Sequence, residues 1–398
     1  MTDLLRVGVV FVLIMVGVRM KWHIGLVLLL ASGAIGVLYS MPISLVQETV
    51  LKAITDPVSI QLLLALTLIR MVEMLLRENQ VLARMMDASR MYLKNRKAVI
   101  VSMPLLIGLL PSLGGAYFSA PMVEESTKGL KISQEEKSFI NYWFRHVWEP
   151  VLPLYPGLLL VVTLSGLELR QVILANSMFA GTVFFAGFLF SMRRIRGRFR
   201  QVPTAESLQL KKDWHVLLNF IPLVAILFAV MALHMDMTIV LGASIIALML
   251  FYRTSRTDIV RTIRYGFTRD VVQLIVGIMI FKFMLDSSGA VQQVSRHLAE
   301  QQIPLLPILC ILPFLTGLLT GLVIAMVGST FPLLMSMAGG ASLADLTLAF
   351  AAGYAGVLLS PMHLCLVLTR EYFKADLSGV YRPIFMATAL AIIASFAM

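Results

Sequence analysis

The chain has 398 residues, 59% hydrophobic and only 14% charged, with a mean hydropathy of +0.86. That is more apolar surface than a soluble domain of this size can bury, so lipid covers part of it. The net charge of +11 does not mark a nucleic-acid binder, because Lys and Arg sit in short loops between apolar runs and not on one face among aromatics. Cys310 and Cys365 both lie in apolar segments, give no disulfide framework or metal-ligand spacing, and read as buried thiols.

From the N-terminus, the apolar run 3–18 lacks a basic n-region and a small-residue cleavage site, so it is expected to be a mature helix and not a signal peptide. Helices are expected over 21–40 and 57–77, then an interfacial amphipathic segment 78–95, a hairpin 98–127, a broken helix 136–166 and a helix 170–192. Together these form a first unit, 1–192, whose scaffold helices are those between 3 and 77. A basic linker, 193–213, leads to a second unit, 214–398. It repeats the order with helices 215–233, 238–252 and 270–287 (scaffold 215–287), an amphipathic segment 255–267, a hairpin 304–338, a broken helix 343–369 and a helix 381–397.

Four local matches recur in the same order at a spacing of roughly 205 to 215 residues. They pair Ile24 with Ile239, Asp56-Pro-Val with Asp270-Val-Val, Gly108-Leu-Leu-Pro-Ser with Gly317-Leu-Leu-Thr-Gly, and the segment from Tyr155 with that from Ser360. If each hairpin dips in and returns, each half makes five crossings, an odd number, so the second repeat is inverted. With the linker inside, 26 of the 33 Lys and Arg fall in inside loops and four outside, which places both termini outside.

The chemistry is expected at the hairpins and breaks. Pro111-Ser112-Leu113-Gly114-Gly115 ends one hairpin limb, and the chain returns through Ser119 and Pro121. Thr320-Gly321 and Gly328-Ser329-Thr330 do the same in the second half. Irregular backbone at membrane depth is tolerated only inside protein or beside a water-filled cavity, and helix N-termini there attract anions. The first broken helix places Asn141, Arg145 and Glu149 at i, i+4, i+8 with His146 beside them; the second breaks at Ser360-Pro361 and offers His363. Solute contact is assigned to Ser112, Gly114, Gly115, Ser119, Asn141, Arg145, Gly328, Ser329, Thr330, Ser360 and His363. The coupling ion or proton is assigned to His146, Glu149 and Thr320.

Each has a structural alternative: Arg145 and Glu149 as an internal ion pair, the two histidines as satisfied core residues, and the hydroxyls as small residues for close helix packing. Lys282 with Asp286, and Arg70 with Glu73, read as scaffold pairs. Tyr142, Trp143, Phe144 and Trp148 read as packing residues.

Two inverted repeats of this make-up resemble the ion transporter superfamily, which includes the divalent anion/sodium symporters, gluconate permeases and arsenite permeases. The strings GLLPSLGGAYFSAPMVEES and INYWFRHVWEPVLPLYPG resemble more closely the membrane proteins of domain-of-unknown-function family 401, over essentially the whole chain. The resemblance implies an elevator-type architecture, with a moving transport domain against a scaffold, in a homodimer. The Ser-Asn-Thr triplets of the symporters are replaced here by Ser-Leu-Gly-Gly and Gly-Ser-Thr, so sodium coupling and dicarboxylate specificity are not carried over.

The expectation is an all-α polytopic protein of a prokaryotic cytoplasmic (inner) membrane. It moves a small, anionic solute by secondary transport, coupled to a proton or a sodium ion, with no resident cofactor or metal and no nucleic-acid partner. Anionic character is read from Arg145 and the helix N-termini. The alternatives are an intramembrane enzyme with a metal on His146, Glu149 and His363, and a passive channel. No HExxH or Gly-x-Ser-x-Gly motif supports an enzyme.

Overall fold

The computed structural model describes residues 2–20, 22–93, 95–111, 115–192, 214–290, 293, 296, 301, 304–337 and 342–396. The basic linker 193–213, with Ser112 and Gly114, lies outside the described residues.

The described elements are helices. The first half contains α1 (Thr2–Arg19), α2 (Ile24–Leu38), α3 (Ile43–Thr55), α4 (Pro57–Glu78), α5 (Val81–Tyr92), α6 (Arg96–Ile107), α7 (Gly115–Ser126), α8 (Gln134–Arg145), α9 (Pro156–Ser165) and α10 (Leu169–Ser191). In the second half a short 3-10 stretch (Trp214–Phe220) leads into α11 (Ile221–Met231). Then come α12 (Met237–Phe251), α13 (Arg256–Gly266), α14 (Arg269–Ser287), α15 (Leu305–Thr320), α16 (Val323–Met337), α17 (Leu343–Leu359), α18 (Leu364–Phe373) and α19 (Leu377–Phe396).

Local chemistry sets the boundaries. Asp56 opens α4 by accepting from the N–H groups of Val58 and Ser59 at 3.0 and 3.2 Å, with Pro57 at the first helical position. Reciprocal capping boxes, Ser133 with Glu136 and Ser342 with Asp345, start α8 and α17. Asp376 accepts from the Gly379 N–H at 2.9 Å, so α19 begins at Leu377, four residues earlier than the apolar pattern suggests. Helix α3 is absent from the sequence expectation. Its Gln47, Glu48 and Lys52 interrupt the apolar run, and it lies beside α14 as an amphipathic element.

Among the described residues, four stretches are long and apolar enough to cross a membrane: Pro57–Glu78, Leu169–Ser191, Leu343–Phe373 and Leu377–Phe396. Six further apolar helices among the described residues have 10 to 17 residues. At about 1.5 Å per residue these fall short of the roughly 30 Å hydrocarbon layer. Large apolar side chains such as Phe185, Phe228, Leu250 and Phe385 point outward along the long helices and their neighbours. This is the surface of a membrane protein.

Helix α2 packs on α14 and α12 on α4; α13 also lies on α4. A second group holds α6 on α8, α15 on α17 and α10 on α19. The α15–α17 crossing is backbone to backbone: a side-chain carbon at Gly317 would strike the Gly353 carbonyl, and one at Gly356 the Phe314 carbonyl. The two halves of the chain are tied by α7 packing on α18 and α16 on α9, and the two groups meet where α14 packs on α16 and α4 on α9.

Candidate functional site

Helix α8 stops at Arg145, and the chain turns through 146–151 before Pro156 starts α9. Helix α17 stops at Leu359, and α18 starts after Ser360-Pro361-Met362-His363. Both breaks free backbone carbonyls in the protein interior, where each unpaired group costs about 1–3 kcal/mol. Side chains from elsewhere take them up. At the breaks Asn176 Nδ2 donates to Pro150 O (3.0 Å) and Tyr142 Oη to Leu358 O (2.9 Å), while Trp148 Nε1 and Tyr155 Oη reach from the first break to Leu105 O (3.0 Å) and Gly108 O (2.6 Å) at the end of α6. Tyr381 Oη donates to Leu359 O (3.1 Å), His363 Nδ1 to Val357 O (3.2 Å), and Tyr354 Oη to His146 O. Val357 O and His146 O also accept from the N–H groups of Ser360 and Glu149; for the other five, loss of the side-chain donor costs about 1–3 kcal/mol each. The aromatics therefore hold the breaks open.

The breaks face a cavity of about 290 Å³. Arg145, Glu149 and Tyr155 line it from the first break, His363 and Cys365 from the second, and Gly321 from the tip between α15 and α16. Arg70 and Glu73 of α4 and Tyr265 of α13 form the facing wall. There the Tyr265 hydroxyl donates to Glu73 Oε1 at 3.3 Å, Arg77 pairs with the same oxygen at 3.7 Å, and Arg70 Nε donates to the Tyr265 carbonyl at 3.1 Å. Arg145 Nη1 lies 3.8 Å from Cys365 Sγ. Glu149 Oε1 lies 4.0 Å from His146 Nε2, and its Oε2 is enclosed with no hydrogen-bond partner among the described residues. The rings of His146 and His363 meet edge to face at 4.6 Å, with the Tyr142 ring against both.

Of the residues singled out in the sequence, the cavity brings together Arg145, Glu149 and His363. His146 is buried directly behind them. Thr320 borders the tip, its Oγ1 accepting from the Leu322 N–H at 3.3 Å, and Ser360 Oγ accepts from the Met362 N–H at 3.1 Å, which shapes the break. Ser119, Ser329 and Thr330 are buried and donate back to carbonyls of their own helices, the usual satisfaction of a hydroxyl inside a helix. Gly115 starts α7, and Gly328 lies against Ile278 of α14. Asn141 is fully buried and ties three elements together, donating to Ala116 O and Thr369 Oγ1, each at 2.9 Å.

The i, i+4 face expected for Arg145 and Glu149 does not continue, because the helix ends at Arg145 and His146 caps it. Arg70 and Glu73, expected as a scaffold pair, are cavity residues joined through Tyr265 and Arg77. Cys365, Tyr155 and Tyr265 carried no signal in the sequence. Each reaches the cavity only through contacts between the two halves of the chain or between a helix and a distant break.

A family model described as "Protein of unknown function (DUF401)" matches residues 3–398. The chain belongs to this family. No curated protein matches it. For this DUF401 chain, the site's chemistry therefore rests on its own geometry.

Proposed function

We propose that the protein is a secondary active transporter of a small anionic solute, working by an elevator mechanism in a prokaryotic cytoplasmic membrane. The observation that carries this reading is the convergence of Arg145, Glu149 and His363, from two helix breaks in opposite halves, on one cavity. Discontinuous helices meeting at a polar cavity are how transporters place a solute at membrane depth. Arg145 supplies a fixed positive charge and a forked donor for a carboxylate or oxyanion. The coupling cation, a proton or a sodium ion, is drawn to the Glu149 carboxylate.

The inverted-repeat reading is supported by contacts that map onto each other when the halves are exchanged. Helix α2 packs on α14 as α12 packs on α4, and α7 packs on α18 as α16 packs on α9. The capping boxes at Ser133 and Ser342 open equivalent helices. The transport body is then α6–α10 with α15–α19, moving against a wall of α2, α4 and α12–α14. Dimer formation, with termini outside and the linker inside, completes the proposal.

The test is flux. Purified protein in liposomes is offered labelled carboxylates, sugar acids, amino acids and oxyanions under an imposed proton or sodium gradient. Accumulation of one anion class above equilibrium, lost in Arg145→Ala, is the expected result. Flux of an anion that ignores both gradients marks a channel. Absence of flux together with absence of any ligand-induced rise in melting temperature overturns the reading.

A further inference from the structure

We propose that His146, His363 and Cys365 bind a divalent transition-metal ion of the zinc class, with Glu149 as the fourth donor. The three residues are buried, and one ligand atom from each lies within 4.8 Å of the others. In bound zinc, neighbouring nitrogen and sulfur ligands stand about 3.5 Å apart, so a contraction of about 1 Å closes the site.

The histidines are already oriented for the task. His146 Nδ1 lies 2.6 Å from the Tyr142 carbonyl and His363 Nδ1 lies 3.2 Å from that of Val357. A carbonyl only accepts, so in each ring Nδ1 carries the proton and Nε2 keeps its lone pair. Backbone carbonyls fix metal-ligating histidines in the same way. His146 Nε2 faces Glu149 Oε1 at 4.0 Å, and Glu149 Oε2 is enclosed without a hydrogen-bond partner among the described residues. A buried carboxylate oxygen of that kind asks for a cation.

The donor set selects the ion. Two imidazoles, a thiol and a carboxylate suit zinc and its neighbours and not magnesium or calcium, which take oxygen ligands. The thiol proton leaves as the ion binds, giving a thiolate. Thiolate and Glu149 then balance the two positive charges, and Glu73 on the facing wall offsets Arg145. With Glu149 bound the four-coordinate shell is closed, so the ion and the coupling cation of the proposed function compete for this carboxylate.

The experiment titrates chelator-stripped, detergent-purified protein with Co²⁺ as a spectroscopic probe, then with Zn²⁺, Mg²⁺ and Ca²⁺ as competitors. Wild type is expected to bind one ion per chain with a thiolate-to-cobalt charge-transfer band, displaced by Zn²⁺ but not by Mg²⁺ or Ca²⁺. Cys310→Ser keeps the band; Cys365→Ser loses it, and Cys365→Ser and His363→Gln each weaken binding by more than about tenfold. A wild-type protein without the thiolate band, or a Cys365→Ser protein that keeps it, overturns the proposal. The wild-type spectrum decides even if a variant fails to fold. Anion-induced thermal shifts in the same stripped sample separate the two readings: a shift without cobalt binding removes the metal site and leaves transport standing.

Discussion

Single side chains decide whether the breaks survive. Tyr155→Phe removes one hydroxyl and leaves the Gly108 carbonyl buried without its donor. The expected outcome is a loss of about 1–3 kcal/mol in unfolding free energy, read from denaturant or thermal unfolding in detergent. An unchanged stability would mean that water reaches this carbonyl. At the opposite end of α4 from Arg70, the Thr238 hydroxyl first, then the N–H groups of Ile239 and Thr238 and the Gln61 amide, hold the Asp236 carboxyl below the usual carboxylate range. A depressed carboxylate stabilises the fold above the unfolded value, near pH 4, and that contribution is lost as pH falls through the folded value. Amides in the first turn of α12 are therefore expected to lose protection from exchange, relative to their intrinsic rates, on acidification below about pH 4. In Asp236→Asn that pH dependence disappears.

Hairpins and breaks raise the question of what a glycine does at a helix end. Gly321 closes α15 with φ +64°, and a side-chain carbon there would lie 2.8 Å from the His363 amide nitrogen. Gly166 closes α9 with φ +69° and has open space around it. Gly166→Ala is expected to cost only the left-handed backbone, about 1–2 kcal/mol. Gly321→Ala should cost more and also displace His363, which unfolding and anion-binding measurements on the pair would resolve. Equal losses would show that the tip gives way freely.

The same elements show what the sequence carries. Proline, glycine and apolar runs mark the hairpin limbs and breaks because those residues act through local backbone chemistry. The partners of the freed carbonyls were not legible, since Tyr354 meets His146 and Tyr142 meets Leu358 only after the halves assemble. Nor was Cys365, whose neighbours Arg145 and His146 come from the other half. Arg70 and Glu73 were visible as a close pair on α4, but only the crossing of α4 by α13 turns them toward the cavity.

At the scale of the molecule, a second cavity of about 550 Å³ lies toward the start of α4, lined by Val58 and Gln61 of α4, Thr163 of α9, Arg170 of α10 and Met237 of α12. Leu62 and Ala65 border this cavity and Leu66 and Ile69 the one holding Arg145, so the two are offset by about one helical turn along α4. If the broken helices move as one body, the solute passes that turn without a continuous pore. Spin labels at Val58 and Thr163, in a chain with Cys310 replaced by Ser and Cys365 buried, are expected to change separation when an anion that raises the melting temperature is added. Labels at Val58 and Met237, both on the wall the proposal holds still, are expected to keep theirs. Movement in the second pair, or none in the first, would exclude the elevator.

Helix α7 rests on α18, and α16 on α9. A ribosome making this chain therefore inserts the first hairpin long before its seat exists. The first half must wait in the lipid with its polar break uncovered until the last helices arrive. Expressed alone, either half should be degraded; expressed together from separate messages, the two should rescue one another.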